Sequence, residues 1–237
     1  MRRQGWRQGD GSLSPFGEPQ KETENRPLVS SPPLVSCVIM AAGSSSRYGE
    51  DKLLAPFKGK MLIEWAFDAV PEDRLSSVIV VSGSDRIRDL AIKRGFRYIE
   101  NRHPEEGVSR TISLGTKALK EECGSILYMV SDQPLLKRQS VSDLIDFYLD
   151  NPEKIVSMSY GGERGNPCIF PAKYFDLLQN LEGDRGGSVI IRSHPEDLLL
   201  FEVDPDELKD IDTVSDHHFL EYGVSDNGSE KRLFPSS

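Results

Sequence analysis

The chain has 237 residues, 37% hydrophobic and 28% charged, with a formal net charge of -9, which allows one substantial core and at most an appended segment. The acidic balance argues against general affinity for nucleic acid, whose phosphates it repels, but leaves room for a small anionic substrate held by locally clustered cations. No run of about 18 apolar residues is present to span a bilayer, and no apolar signal core follows the basic start. Cys37, Cys123 and Cys168 are odd in number and far apart, a pattern of neither a disulfide framework nor a paired-thiol zinc site. The expectation is a reduced cytoplasmic protein without nucleic-acid or membrane partners.

Residues 1–33 are rich in Gly, Ser, Pro, Gln and charge and lack hydrophobic period, so they read as a disordered tail, and residues 226–237 read the same way. Between them, residues 34–225 are expected to form a single domain. The β-branched, apolar runs 34–41, 77–82 and 125–130 predict strands covered on both faces, while 62–70, 85–94, 109–120 and 141–149 have helical period. Alternating strands and helices imply right-handed crossovers, a mostly parallel sheet and a ligand beyond the carboxyl ends of the strands. After residue 150 regularity weakens: residues 161–167 and 183–187 predict turn-rich loops. Residues 34–150 thus read as a regular half and 151–225 as a loop-rich half suited to binding a substrate.

The first strand runs into Ala42-Gly43-Ser44-Ser45-Ser46-Arg47-Tyr48-Gly49-Glu50-Asp51-Lys52. Small residues let backbone N–H groups fold around an anion, and Arg47 and Lys52 add fixed positive charge, a combination matched to a triphosphate. The loop has neither Walker A spacing nor a dinucleotide fingerprint. Beyond the strand 125–130 comes Ser131-Asp132-Gln133-Pro134, which aims one carboxylate at the ligand crevice, a hard ligand suited to Mg²⁺ bridged to substrate phosphates. An Asp that caps the following turn is the plainer reading of the same residue.

The pattern Ala41-Ala42-Gly43-x-Ser45-x-Arg47-x-Gly49-x-x-Lys52-Leu53 resembles the signature loop of the nucleotidyltransferases that include molybdenum-cofactor cytidylyl- and guanylyltransferases, the MobA-like NTP transferases. Ala-Ala-Gly is typical of the cytidylyl members. Asp132-Gln133-Pro134 is similar to the family's metal-binding Gly-Asp-Met/Gln-Pro motif, with Ser131 for the glycine. Residues 106–113 resemble a Gln/Glu-Gly-x-x-x-Ser segment whose helix N-terminus approaches the nucleotide, implying roles for Gly107, Ser109 and Ser113; Ser109 is alternatively a simple helix cap. Gly165-Asn166-Pro167 and Gly183-Asp184-Arg185-Gly186-Gly187 are similar to the elements on the acceptor side, with Ser188 where the family has arginine. Asp210-Ile211-Asp212 matches a motif that would supply the second metal carboxylate, Asp210 being the first choice and Asp212 the second.

The resemblance implies a three-layer, Rossmann-like α/β nucleotidyltransferase fold and transfer of CMP from CTP to the phosphate of molybdenum-molybdopterin, with Mg²⁺ as cofactor. It assigns catalysis to Arg47, Lys52 and Asp132, nucleotide binding also to Ala41, Ala42, Gly43 and Ser45, and passing contact with a molybdenum hydroxylase or its chaperone. The alternatives are a GTP-using relative, a cytidylyltransferase acting on a sugar or alcohol phosphate, and a non-catalytic cofactor-delivery protein. Elsewhere, His217-His218 predicts a solvated pair, Cys168 a packed thiol, and Phe170, Tyr174 and Phe175 core positions.

Overall fold

The computed structural model describes residues 34–42 and 52–222; both tails, with Gly43, Ser45 and Arg47, lie outside the described residues. The elements in order are β1 (Val35–Met40), β2 (Pro56–Phe57), β3 (Lys60–Met61), α1 (Leu62–Asp68), β4 (Val78–Ser82), α2 (Asp85–Arg94), β5 (Arg97–Glu100), α3 (Val108–Leu119), β6 (Ser125–Val130), α4 (Arg138–Leu149), β7 (Ile155–Tyr160), β8 (Glu163–Pro171), α5 (Phe175–Gln179), α6 (Ser188–Ser193), β9 (Leu198–Glu202) and α7 (Val214–Tyr222).

Seven strands form one sheet in the order β5-β4-β1-β6-β8-β7-β9, and β2-β3 form a separate ribbon. Only β8 runs antiparallel to its neighbours β6 and β7; the β5-β4, β4-β1, β1-β6 and β7-β9 pairs are parallel. Alternation along the strands builds two cores, because successive side chains point to opposite faces. Cys37 and Ile39 of β1 join Phe67, Ile87, Leu144 and Tyr148 on the face covered by α1, α2 and α4. Val38 joins Ile112, Leu119, Leu178 and Ile190 on the face covered by α3, α5 and α6. The result is the expected three-layer fold with a mostly parallel sheet.

The main departures from local pattern have identifiable causes. The turn expected over 161–167 is only Gly161-Gly162, with φ of 60° and 83°. Tyr160 pairs with Glu163, as a two-residue hairpin with positive φ at both central positions requires. Gly165, Asn166 and Pro167 therefore belong to β8. Pro167 is tolerated there because the β7–β8 register shifts between Ser157 and Ser159, where no ladder bond is asked of its nitrogen.

Helix α4 starts three residues before the expected position. The buried carboxylate of Glu207 accepts from the Lys137 backbone N–H at 3.0 Å and the Ser140 hydroxyl at 3.1 Å, supplying from 70 positions away the cap that the local sequence lacks. The pair His217-His218 is also corrected. His217 is buried, its ring centroid 5.4 Å from that of Phe57 and its Nε2 3.3 Å from Glu221 Oε2, because α7 packs on the β2-β3 ribbon. Cys168 is a packed thiol, raised above its ordinary pKa by burial, and Phe170, Tyr174 and Phe175 are core residues.

Candidate active site

The parallel strands β1 and β6 pair in register from Val35↔Ser125 to Met40↔Val130, so their carboxyl ends open side by side. Ser131 is buried and its hydroxyl donates to the Met40 carbonyl at 2.8 Å, tying the two strand ends together where the family glycine has no such group. Immediately beyond, the Asp132 carbonyl accepts from Ile211 N–H at 2.9 Å. That bond brings the segment before α7 back across the strand ends.

Lys52 opens a 3-10 turn anchored by buried Leu53, and its ammonium is held between these segments. It donates to Asp132 Oδ2 at 2.8 Å, to the Ile211 carbonyl at 2.9 Å and to Asp212 Oδ1 at 3.2 Å. Burial pulls the Lys52 pKa down, but the charges and hydrogen bonds of Asp132 and Asp212 outweigh it and hold the ammonium above its ordinary value. Lys52 therefore stays cationic at neutral pH. Asp210 reaches solvent along one side, yet its carboxyl is hemmed in. Desolvation first, then the charge of Asp132, push its pKa up to about 7, while a Gln133 hydrogen bond opposes the rise.

A cavity of about 280 Å³ opens here among the described residues. One wall is Met40, Ala42, Lys52 and Leu53, the floor Val130, Ser131, Asp132 and Asp212, and the opposite wall Pro104, Gly107, Val108, Thr111 and Asp184. The spacing-based and family-based expectations thus converge on Ala42, Lys52, Gly107, Asp132, Asp184 and Asp212. Ala41 lies just behind, its N–H bonded to Val81 O at 2.9 Å.

Other expected residues face away from the cavity. Ser109 is buried and its hydroxyl turns to the Glu106 carbonyl at 3.4 Å, while Ser113 donates to the Gln179 carbonyl at 3.0 Å. Gly165, Asn166 and Pro167 sit on β8 away from the lining, with Gly165 O taken by the Ser157 hydroxyl at 2.8 Å. Gly186 and Gly187 shape the loop rather than line the cavity; a Cβ on Gly187 would stand 2.7 Å from the Phe170 ring.

The N-terminus of α3 is not an open anion site. Val108 N–H is 3.3 Å from Asp184 Oδ1, and Ser109 N–H is 3.3 Å from the Gly183 carbonyl. The donors that a helix start offers are already given to the 183–184 loop. Gly107 permits this approach: its φ is 87°, and a Cβ would lie 2.6 Å from the Gly183 carbonyl oxygen. Gly107→Ala is expected to cost about 2 kcal/mol or more in denaturant unfolding, through overpacking and positive-φ strain. An unchanged midpoint would show that the loop does not approach this closely.

The residues that local motifs did not single out are Thr111, Pro104 and Val108 on the far wall. Pro104 precedes the 106–113 motif, and Val108 and Thr111 occupy positions within it that the motif leaves open, where nothing in the local pattern distinguishes them from ordinary helix residues. For a divalent cation the donor set is hard and oxygen-only: Asp132 and Asp212 already converge on one ammonium, with Asp210 beside Asp132. Among the described residues, no group of three or more His, Cys, Asp or Glu side chains is arranged to hold a metal ion. Two carboxylates completed by substrate phosphates is the arrangement that suits Mg²⁺.

Lys52 and the paired aspartates thus lie beyond the carboxyl ends of the central strands of an open α/β sheet, where such sheets bind ligands. Residues 37–198 match the MobA-like NTP transferase domain, and the chain belongs to that family; it is a nucleotidyltransferase of this type. It is 27% identical over 206 residues to the purine catabolism protein PucB of Bacillus subtilis, a match covering 81% of this chain and 98% of PucB. Among solved structures, Rv0371c of Mycobacterium tuberculosis in complex with manganese superposes with a TM-score of 0.68 at 21% identity, covering 81% of this chain and 100% of that one. A nucleotidyl transferase from Methanothermobacter gives a TM-score of 0.68 at 20% identity, covering 80% and 97%. No helix among the described residues is long and apolar enough to cross a membrane.

Proposed function

We propose that the protein transfers CMP from CTP to the phosphate of molybdenum-molybdopterin in the cytoplasm, releasing pyrophosphate, and that the product passes to a molybdenum hydroxylase or its chaperone. The observation that carries the reading is Lys52 held between Asp132 and Asp212 at the mouth of β1 and β6, in a chain whose Ala41-Ala42-Gly43 sequence is of the cytidylyl kind. In the reaction an acceptor phosphate oxygen attacks the α-phosphorus of CTP. A new P–O bond forms as the bond from the α-phosphorus to the bridging oxygen breaks, and pyrophosphate leaves with the electron pair.

The acceptor phosphate is already an anion near neutral pH, so the chain needs to supply charge neutralisation and in-line alignment rather than a general base. Asp132 would hold Mg²⁺ together with Asp210, whose carboxyl feels its charge, or with Asp212, which shares its ammonium. When bound, the cation draws together phosphates that repel one another. Lys52, with Arg47 from the loop outside the described residues, would stabilise the charge that develops on pyrophosphate. Gly107 and Asp184 place the acceptor-side loop against the nucleotide wall.

Pyrophosphate release measured with each of four NTPs, with and without molybdenum-loaded molybdopterin, tests the reading. CTP with the authentic acceptor is expected to react fastest. Preference for GTP overturns the cytidylyl assignment, reaction only with a sugar or alcohol phosphate overturns the acceptor, and no release with any pair supports a non-catalytic delivery protein. Ala42 lines the cavity, so Ala42→Gly is expected to raise the relative use of GTP by about tenfold or more, the order expected for a single methyl in a pocket. An unaltered CTP:GTP ratio removes Ala42 from nucleotide choice.

A further inference from the structure

We propose that Asn101 is a positioning residue for the nucleotide, its side-chain amide holding the far wall of the cavity in register with the strand ends. Asn101 is completely buried just after β5, and its backbone N–H donates to Ser82 O at the end of β4 at 2.8 Å. Its Oδ1 accepts from the His103 backbone N–H at 3.0 Å. Its Nδ2 donates to Thr111 Oγ1 at 3.2 Å in a buried bond. The orientation of the amide is settled by chemistry: a backbone N–H only donates, so the atom facing His103 is the oxygen, and the NH₂ is left to face Thr111.

Each bond reaches a different part of the same wall. His103 begins the turn that carries Pro104 and ends at Gly107, and Thr111 is one turn into α3; Pro104, Gly107 and Thr111 all line the cavity. The Ser82 bond fixes the amide to the central sheet, whose β1 and β6 carry the opposite wall and floor. Asn101 thus joins the rigid sheet to the two segments whose separation from Lys52 and Asp132 sets the width of the cavity. It touches no cavity space itself, so it acts through Thr111 and the turn, and losing the amide releases a wall that substrate alignment depends on.

The inference rests on the cavity being the NTP site, and its test separates the two. Calorimetric binding of all four NTPs to the wild-type chain comes first, followed by binding of the preferred one to Asn101→Ala and Thr111→Val, with melting temperature and steady-state constants alongside. Thr111→Val keeps the shape of the side chain and removes only the wall-side bond, and it serves if Asn101→Ala does not fold. The expected result is nucleotide binding weakened about tenfold or more in both, a matching rise in nucleotide KM, and kcat and acceptor KM within about threefold. Thr111→Ser, which retains the hydroxyl, should return binding to within about threefold of wild type.

A merely structural role would lower melting temperature and active fraction while leaving the affinity of the folded fraction unchanged. Folded Asn101→Ala or Thr111→Val binding the nucleotide within twofold of wild type overturns the proposal. A wild-type chain that binds none of the four NTPs overturns the nucleotide reading, and the proposal with it.

Discussion

Asp132→Asn is expected to lower turnover about 100-fold or more while shifting the melting temperature by only a few degrees. Metal sites lose about 10–100-fold when an outer-shell partner is changed, and a direct ligand at the reacting centre should lose at least as much. The fold should survive because the contacts that fix Asp132 are mostly those of its backbone: its carbonyl accepts from Ile211 N–H at 2.9 Å, and the preceding Ser131 bonds Met40 O at 2.8 Å. Lys52 keeps the Ile211 carbonyl and Asp212 as acceptors, and the asparagine oxygen can still accept from it. What is lost is the negative charge at the carboxyl end of β6. Steady-state kinetics at saturating magnesium, paired with thermal melting, separates the outcomes. Turnover within a few-fold of wild type would exclude Asp132 from the metal shell.

The strands that form the middle of the sheet were readable because their signal is local. Val35–Met40 and Ser125–Val130 are apolar on both faces, as strands covered by helices on both sides must be. Lys52 and Asp132 were readable for a similar reason, since each follows such a strand. Their encounter across 80 positions, and the choice of Asp212 as the carboxylate that shares the lysine, depend on how the segment before α7 crosses the strand ends, which no local pattern records.

What surrounds these strands was less legible because its rules are tertiary. The capping of α4 by Glu207 and the closure of the α3 N-terminus by Asp184 are each one distant side chain satisfying a backbone group, and the Asn101–Thr111 bond, though closer in sequence, joins a strand end to a helix. The turning of the Ser109 and Ser113 hydroxyls to the Glu106 and Gln179 carbonyls was hidden for the same reason: a motif places residues on a helix but does not say which neighbouring surface each one meets. β8 was misread because glycine and proline mark turns in isolation, whereas here Gly161-Gly162 makes the turn and Pro167 falls where the register shifts.

Lys52→Ala is expected to cut kcat/KM for the nucleotide by about 10–150-fold, corresponding to the 1.5–3 kcal/mol typical of hydrogen bonds to charged groups, and to leave the acceptor KM nearly unchanged. The side chain is only 14% exposed, and the ammonium is surrounded by two carboxylates and a carbonyl, so little water screens it and its charge is retained at neutral pH. Removing it takes from Asp132, Asp212 and the crowded Asp210 the ammonium that stands among them, just where further negative charge must arrive with the triphosphate. Lys52→Arg should restore only part of the loss. Among the described residues Asp132, Asp212 and the Ile211 carbonyl all converge on a single nitrogen, which suits a compact ammonium with rotatable donors, whereas a planar guanidinium spreads its donors in a fixed fork. Kinetic constants measured at several magnesium concentrations distinguish this role from a purely structural clamp: a clamp would lower the active fraction alike for both substrates, while a phosphate-binding lysine acts on the nucleotide term. Equal nucleotide constants in Lys52→Ala and wild type would count decisively against Lys52 as a nucleotide ligand.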